Sequence, residues 1–266
     1  MTMHPTPRLS SNTPNWLGIQ TVYKRETWRF LKVWNQTVIS PVITTLLYLA
    51  IFTLAFGAAR RNIGGMPFEV FLAPGLVMMQ VLSNAFANSS SSLILSKIQG
   101  VIIDYLMPPL KGWEITLGIV GGGITRGVMV GIAVMIAMAI FVPYTMHNPL
   151  LGIFYVVSAS IMMALLGMLG GVYAQGFDQL SAFTNYIVTP LSFLSGTFYS
   201  IKALPEFFQM ISYANPFFYM IDGFRYSMTG YSDGNVHTGM IVLTGLNIAL
   251  WLLVQHLFSK GWRMKS

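Results

Sequence analysis

Long stretches without charged residues are the feature that most constrains how this chain can fold. Only 9% of its 266 residues are charged and 54% are hydrophobic, whereas a soluble domain carries roughly 25% charged residues. Backbone polar groups in hydrocarbon must be hydrogen-bonded within their own segment, so such a chain crosses a membrane as helices of about 20 apolar residues. The composition therefore predicts an all-α integral membrane protein.

Charged residues divide the chain into apolar segments, and the segment after Arg126 is long enough for two helices. Its break is the stretch from Pro143 to Pro149, where two prolines favour a turn. Six transmembrane helices are predicted near 38–58, 68–95, 115–141, 150–174, 180–199 and 238–258. Residues 1–15 are predicted to form a flexible tail, and residues 37–266 a single six-span domain.

The distribution of basic residues predicts the orientation of the chain. The net charge of +7 could suggest nucleic-acid binding, but most of the lysines and arginines fall on one side of the predicted spans. The positive-inside rule then puts both termini in the cytoplasm. The N-terminal residues lack the apolar segment of a cleavable signal peptide, and the absence of cysteine excludes disulfides.

Two amphipathic segments are predicted on the cytoplasmic side. Residues 16–36 carry apolar side chains at near-helical spacing among basic ones, which indicates a helix lying along the membrane surface; a solvated linker is the alternative. Residues 98–110 form a second, shorter helix, stopped by Pro108 and Pro109, or else a plain connector. Its apolar side chains at Ile102, Ile103, Tyr105 and Leu106 favour docking to a soluble partner.

On the predicted outer side, the region of about 200–230 is long, moderately apolar and marked by prolines. Its pieces Ile201–Tyr213 and Pro216–Met228 are each too short to cross a membrane. Both are predicted to be re-entrant helices between spans five and six, dipping into the outer half of the membrane, which is tolerated where protein or a cavity satisfies the backbone.

The segment from Pro190 to Gly230 resembles the C-terminal signature of the type-two ABC transporter permease family, which includes the nodulation lipo-oligosaccharide exporters. The shared features are Pro190, the Phe193–Gly196 core, Leu204-Pro205, Asn215-Pro216, and Asp222 followed by Arg225. The segments Tyr23–Phe30 and Leu106–Leu110 are similar to two other recurrent segments of the family.

This resemblance implies the permease subunit of a bacterial inner-membrane exporter that works as a pair. Each of the two permease copies would be seated on its own cytosolic ATPase subunit. The ATPase subunits would bind the ATP and Mg²⁺, and no cofactor is expected on this chain. Lacking a Gly-rich phosphate loop, the sequence indicates no ATP site of its own. The residues implied to couple to the ATPase are Lys24, Arg25, Glu26, Ile102, Ile103, Asp104, Tyr105 and Leu106. Those implied at the outer gate are Leu204, Pro205, Pro216, Asp222 and Arg225.

Polar residues inside the spans suggest a substrate pathway. Asn84 and Asn88 lie one turn apart in span two, where they would point into a path between two protomers or make interhelical hydrogen bonds. Arg126 would face a cavity or reach the cytoplasmic surface. Phe183, Tyr186 and Phe193 are predicted to form an apolar wall. In span three, Gly121–Gly123 would serve close helix packing or form a hinge.

Two other function classes remain open from the sequence. Gly230–Gly234 matches the hydrolase pattern G-x-S-x-G around Ser232, and four histidines are present, so an intramembrane enzyme is one alternative. A passive channel or scaffold is the other. We predict instead a transporter that moves an amphipathic, lipid-linked or drug-like compound by alternating access. No catalytic and no metal-binding residues are predicted in this chain.

Overall fold

The computed structural model describes residues 14–56, 62–100, 110–143 and 145–259, most of which are helical. Helix α1 is Trp16–Leu31, and a π-helical segment, Asn35–Ile39, leads into α2, Ser40–Phe56. Three long helices follow: α3, Phe68–Ile98; α4, Gly112–Met138; and α5, Pro149–Tyr173. The short strands β1, Asn62–Ile63, and β2, Met66–Pro67, form an antiparallel hairpin before α3.

The last third of the chain has shorter elements before a final long helix. Helix α6, Phe177–Phe183, continues through a π-helical segment, Thr184–Val188, into α7, Thr189–Phe193. A 3₁₀ turn, Ile201–Ala203, precedes α8, Glu206–Ala214, and α9, Pro216–Thr229. Helix α10, Val236–Ser259, ends the described part of the chain.

Within the described residues, five helices are long and apolar enough to cross a membrane, and they match five of the predicted spans. They are Asn35–Ala55, Phe68–Ile98, Gly112–Met138, Pro149–Tyr173 and Val236–Phe258. This confirms an all-α membrane protein. The predicted span at 180–199 corresponds to the helical run from Phe177 to Phe193, which is shorter and is not among these five.

Local residues explain where the helices begin and where the chain turns. Asn148 accepts a hydrogen bond from the Leu151 N–H at 3.2 Å, and Pro149 occupies the first turn of α5. This combination favours a helix start, because the first turn leaves N–H groups without partners and proline has none to lose. Between β1 and β2, Gly64 and Gly65 both have positive φ, which a tight hairpin turn requires.

Helix α3 is the centre of the bundle. Of the residues in its most apolar segment, 72% are buried inside the protein, compared with 11% in the segment containing α2 and 17% in α10. Helices α4, α5 and α9 pack around it, α10 packs against α5 and α9, and α1 packs mainly against α4. The outward faces of α2 and α10 are therefore left to lipid or to another polypeptide.

Glycines allow the three central helices to approach closely. A Cβ atom at Gly123 would lie 2.8 Å from the Ala164 Cβ of α5, and one at Gly167 would lie 2.5 Å from the Phe86 carbonyl oxygen of α3. No side chain fits at such distances, so these positions require glycine. Helix α4 is continuous through Gly121–Gly123. These observations favour the packing interpretation of this glycine run.

Candidate functional site

Helix α1 is seated along the first half of α4 through one buried face. That face consists of Val22, Glu26 and Phe30, which are four residues apart. A Cβ at Gly118 would lie 2.6 Å from the Val22 Cβ, and one at Gly122 would lie 2.5 Å from the Glu26 Cβ. The segment predicted as a surface helix or a linker is therefore a helix, and it packs directly on the bundle.

Glu26 is a fully buried carboxylate at this contact. The Ser92 hydroxyl donates to it at 2.6 Å, and the Arg29 guanidinium donates at 3.0 Å. A buried charge is tolerated only when it is paired and hydrogen-bonded in this way. Of the three coupling residues predicted in α1, Lys24 and Arg25 are exposed, whereas Glu26 faces the interior.

Arg29 connects α1 to the central helix, and the sequence interpretation did not single it out. Its guanidinium donates to the Ser91 hydroxyl at 2.9 Å and to the Asn88 carbonyl oxygen at 2.6 Å. A weaker bond of 3.2 Å reaches the Asn88 side-chain oxygen. The signal available in the sequence was the three-residue spacing of Glu26 and Arg29, which puts opposite charges on one helix face.

Asn84 and Arg126 are brought together by α3 and α4. The Arg126 Nε donates to the Asn84 Oδ1 at 3.2 Å. Arg126 lies 14 residues after the start of α4, so it is about 21 Å along that helix and close to its midpoint. Arg126 therefore lies near the middle of α4, and its predicted place facing a cavity stays a prediction. Asn84 and Asn88 are both buried within one protomer, so their place in a substrate pathway stays a prediction.

The three predicted wall aromatics lie in different surroundings. Phe183 stacks on Phe86 of α3, with ring centres 5.6 Å apart. Phe193 stacks on Phe198 at 5.1 Å and is partly exposed, and Tyr186 is 81% exposed. Only Phe183 is packed against the central helix, so Tyr186 and Phe193 are available to contact lipid or a second copy.

Five predicted coupling residues lie outside the described residues. They are Ile102, Ile103, Asp104, Tyr105 and Leu106. The flanking structure locates the ends of their segment: Ile98 ends α3, and Leu110 precedes α4. Leu110 contacts α1, since a Cβ at Gly18 would lie 2.2 Å from its side chain. The end of the predicted coupling segment is therefore next to the start of α1.

A second polar cluster joins α9 to the loops at the opposite end of α3. Asp222 accepts hydrogen bonds from the backbone N–H groups of Asp233 and Gly234, at 2.8 and 2.9 Å. Arg225, which is fully buried, lies 3.7 Å from the Asp222 carboxylate. Burial raises the pKa of the Asp222 carboxyl above its ordinary value, while Arg225 and the two backbone donors favour the charged form.

Arg225 also holds two distant parts of the backbone. It donates to the Gly196 carbonyl oxygen at 2.7 Å and to the Phe71 carbonyl oxygen at 3.2 Å, and its guanidinium lies 4.0 Å from the centre of the Phe71 ring. Asp233 completes the cluster by accepting hydrogen bonds from the Ser200 and Tyr231 hydroxyls, each at 2.7 Å. The cluster therefore ties α3, α9 and the two loops beside α9 together.

The two short helices of this region are present at the predicted positions, but they differ in burial. Pro216 begins α9, which is largely buried in the core. Leu204 and Pro205 lead into α8, whose apolar side chains at Phe207 and Met210 are 68% and 73% exposed. Only α8 thus has a face that membrane lipid could cover.

The structural context does not support the hydrolase interpretation of Ser232. The elbow requires a turn from a strand into a helix, whereas Ser232 lies in the loop between α9 and α10 and donates to the Gly234 carbonyl oxygen at 2.9 Å. His147, in the turn before α5, packs edge-on against the Tyr226 ring. Ser232 is therefore a loop residue that forms a local turn.

Comparisons with known proteins agree with this architecture. A family model described as ABC-2 type transporter matches residues 18–229. The chain is 37% identical over 251 residues to the inner membrane transport permease YadH of Escherichia coli (strain K12), covering 94% of this chain and 98% of YadH. It is 24% identical over 242 residues to nodulation protein J of Neorhizobium galegae, covering 90% and 91% of the two chains. The corresponding protein of Sinorhizobium fredii (strain NBRC 101917 / NGR234) is 24% identical over 233 residues.

Proposed function

This chain belongs to the ABC-2 type transporter family, and we propose that it is the membrane subunit of an ATP-driven exporter in a bacterial inner membrane. The observation that carries the proposal is the family match over residues 18–229, together with 37% identity to a named transport permease along nearly the whole of both chains. Five apolar helices of membrane-spanning length are consistent with a multi-pass transport subunit.

In this proposal the helical run from Phe177 to Phe193 is the sixth span. Five apolar helices and this run then give an even number of crossings, with both termini in the cytoplasm, as the basic residues predict. The exposed apolar face of α8 would insert into the outer leaflet beside that span, which supports a re-entrant role for α8.

Energy for transport would come from a separate cytosolic ATPase that binds ATP and Mg²⁺. The coupling surface would combine the exposed face of α1, including Lys24 and Arg25, with the neighbouring segment from Ile102 to Leu106. Leu110 and Gly18 are in contact, which supports treating the two segments as one surface. ATPase closure would then act on α1, and Glu26 and Arg29 would pass the displacement to α3 through Ser92 and Asn88.

A second copy of this chain would complete the transport path. The outward faces of α2 and of the Phe177–Phe193 run, with Tyr186 81% exposed, leave apolar surface for such a partner. Alternating access of the pair would move an amphipathic, lipid-linked or drug-like compound, as the family resemblance implies.

Copurification tests the proposal. The tagged full-length chain, extracted from its native membrane in mild detergent, should retain a P-loop ATPase whose hydrolysis rate rises when the permease is present. The variant Ser232→Ala should behave as the unmodified chain does, whereas it would lose all activity if the protein were a serine hydrolase. Isolation of the permease with no nucleotide-hydrolysing protein, under conditions that keep it folded, would contradict the proposal.

A further inference from the structure

Arg126 has no ion-pair partner among the residues that the structure describes. Among the described residues, no carboxylate forms an ion pair with Arg126, and Glu26, the acidic group of this region, is paired with Arg29. In the described part of the chain, Arg126 is therefore a positive charge without an ion-pair partner close to the midpoint of α4.

Asn84 fixes the direction of the Arg126 side chain, and the described residues leave most of its donors without a partner. Asn84 accepts from the Nε, and the Asn84 amide is itself held by the Gln80 carbonyl oxygen at 3.0 Å. A guanidinium has five N–H donors, and within the described part of the chain only the Nε of Arg126 has a partner. The side chain is partly exposed, so its terminal nitrogens are accessible from outside the protomer.

An exposed apolar stripe continues from Arg126 along the same face of α4 and the turn that follows it. Met129 and Ala133 are partly exposed, Ile136 is 67% exposed and Ile140 is 78% exposed. Positions 129, 133, 136 and 140 repeat at the three- and four-residue spacing that lines one face of a helix. One cationic group thus stands at the end of a hydrocarbon-lined strip about 20 Å long.

We propose that Arg126 and this stripe bind an anionic amphiphile, with its phosphate, sulfate or carboxylate group on the guanidinium and its tail along α4. This inference rests on the proposed function, because export of an amphiphile would bring its headgroup to the depth of Arg126. A lone charge inside a membrane carries a large free-energy cost. An anion would offset that cost, because the planar guanidinium group binds the oxygens of a phosphate, sulfate or carboxylate through paired hydrogen bonds.

Photoreactive lipids test the site directly. The full-length chain is reconstituted in phosphatidylcholine nanodiscs without nucleotide or ATPase, with trace photoreactive phosphatidylglycerol or photoreactive phosphatidylcholine of the same acyl chains. Adducts on the 112–138 peptide are quantified by mass spectrometry. The phosphatidylglycerol probe should give about tenfold more adduct, the order expected of hydrogen bonds to a charged group. Equal yields would overturn the inference.

Variants test whether preferential labelling by the phosphatidylglycerol probe depends on Arg126. Arg126→Gln should abolish it, and Arg126→Lys, which keeps the charge, should retain most of it. The matched control is Lys32→Gln, which removes one exposed charge at the end of α1 and should leave the preference unchanged. If Arg126→Gln kept the preference, or if Lys32→Gln lost as much of it, the signal would come from general surface charge and the inference would be wrong.

Competition on the unmodified chain covers the case in which a variant does not fold. Unlabelled phosphatidylglycerol should suppress the labelling about tenfold more effectively than phosphatidylcholine does. Inorganic phosphate should not compete, because it has no tail; effective competition by it would contradict an amphiphile site. These measurements involve no ATPase. The lipid-site inference can therefore be contradicted while copurification of the ATPase supports the proposed function, and the lipid site can be supported when copurification fails.

Discussion

The Ser92 hydroxyl donates a hydrogen bond of 2.6 Å to the Glu26 carboxylate, although the two residues are 66 positions apart and belong to different helices. With Arg29 on the same carboxylate, this bond joins the N-terminal helix to the most buried helix of the bundle. It is among the shortest of the described connections between α1 and α3, and the predictions for α1 follow from it.

Glu26→Leu should destabilise the protein by about 1–3 kcal/mol, because Arg29 and Ser92 lose their acceptor inside the bundle. Glu26→Gln should cost less, since an amide oxygen still accepts from Ser92. Thermal unfolding of the detergent-solubilised chain measures both. The exposed neighbour provides the control: Lys24→Gln should change the stability by less than about 0.5 kcal/mol. Equal unfolding temperatures for Glu26→Leu and Lys24→Gln would contradict the burial of Glu26.

Gly122→Ala should displace α1 from α4, since the new methyl group would lie 2.5 Å from the Glu26 Cβ. Overpacking of this kind costs about 1–3 kcal/mol, and we also expect weaker retention of the ATPase in copurification. Gly245→Ala is the matched control, because that glycine of α10 has open space beside it. Alanine there should be neutral or slightly stabilising. The same outcome for both variants would show that α1 is not seated on Gly122.

Asp222→Ala should loosen the loop before α10, because the N–H groups of Asp233 and Gly234 lose their acceptor. Each unsatisfied buried donor costs about 1–3 kcal/mol. Limited proteolysis of membrane vesicles from the outer side should cut near residues 230–235 faster than in the unmodified chain. Glu206→Ala, at the exposed start of α8, should leave the cleavage rate unchanged. Unaltered cleavage of Asp222→Ala would argue against a role for Asp222 in holding the loop.

Ile103→Asp should uncouple the permease from its ATPase, because a charge replaces an apolar side chain at the predicted docking surface. The expected result is loss of permease-stimulated ATP hydrolysis with unchanged thermal stability. Asp104→Asn, in the same segment, is a milder comparison that keeps the apolar side chains. If Ile103→Asp left the stimulation intact, the docking surface would have to lie elsewhere, for example on the exposed face of α1.

The sequence predicted the elements of this fold better than their connections. Hydropathy located the helices well, because an uncharged apolar segment of about 20 residues has few alternatives in a membrane. The burial of Glu26 was not predictable from its neighbours, since it depends on Ser92 and on the glycine at position 122, both far along the chain. The helical run from Phe177 to Phe193 ends six residues before its predicted end at residue 199. The chain leaves the helix there for the loop whose Gly196 carbonyl oxygen accepts a hydrogen bond from Arg225.

Resemblance identified Asp222 and Arg225 as notable, but their geometry became visible only in three dimensions. Arg225 contacts backbone carbonyl oxygens of residues 71 and 196. Contacts of this kind leave no pattern in a single sequence, because any residue supplies a carbonyl oxygen. The pairing of Arg126 with Asn84 was similarly hidden, although the cost of a charge in a span had marked Arg126 as a residue that needs a polar environment.

The close fit of α1 against Gly118 and Gly122 has a mechanical consequence. At these two positions the backbone of α4 lies directly against the Val22 and Glu26 Cβ atoms, which leaves α1 little space to shift relative to α4. We therefore expect α1 and α4 to move together when a force is applied to the exposed side of α1. If the ATPase docks on this helix as proposed, α1 would act as a rigid arm that carries small displacements of its outer face into the membrane domain.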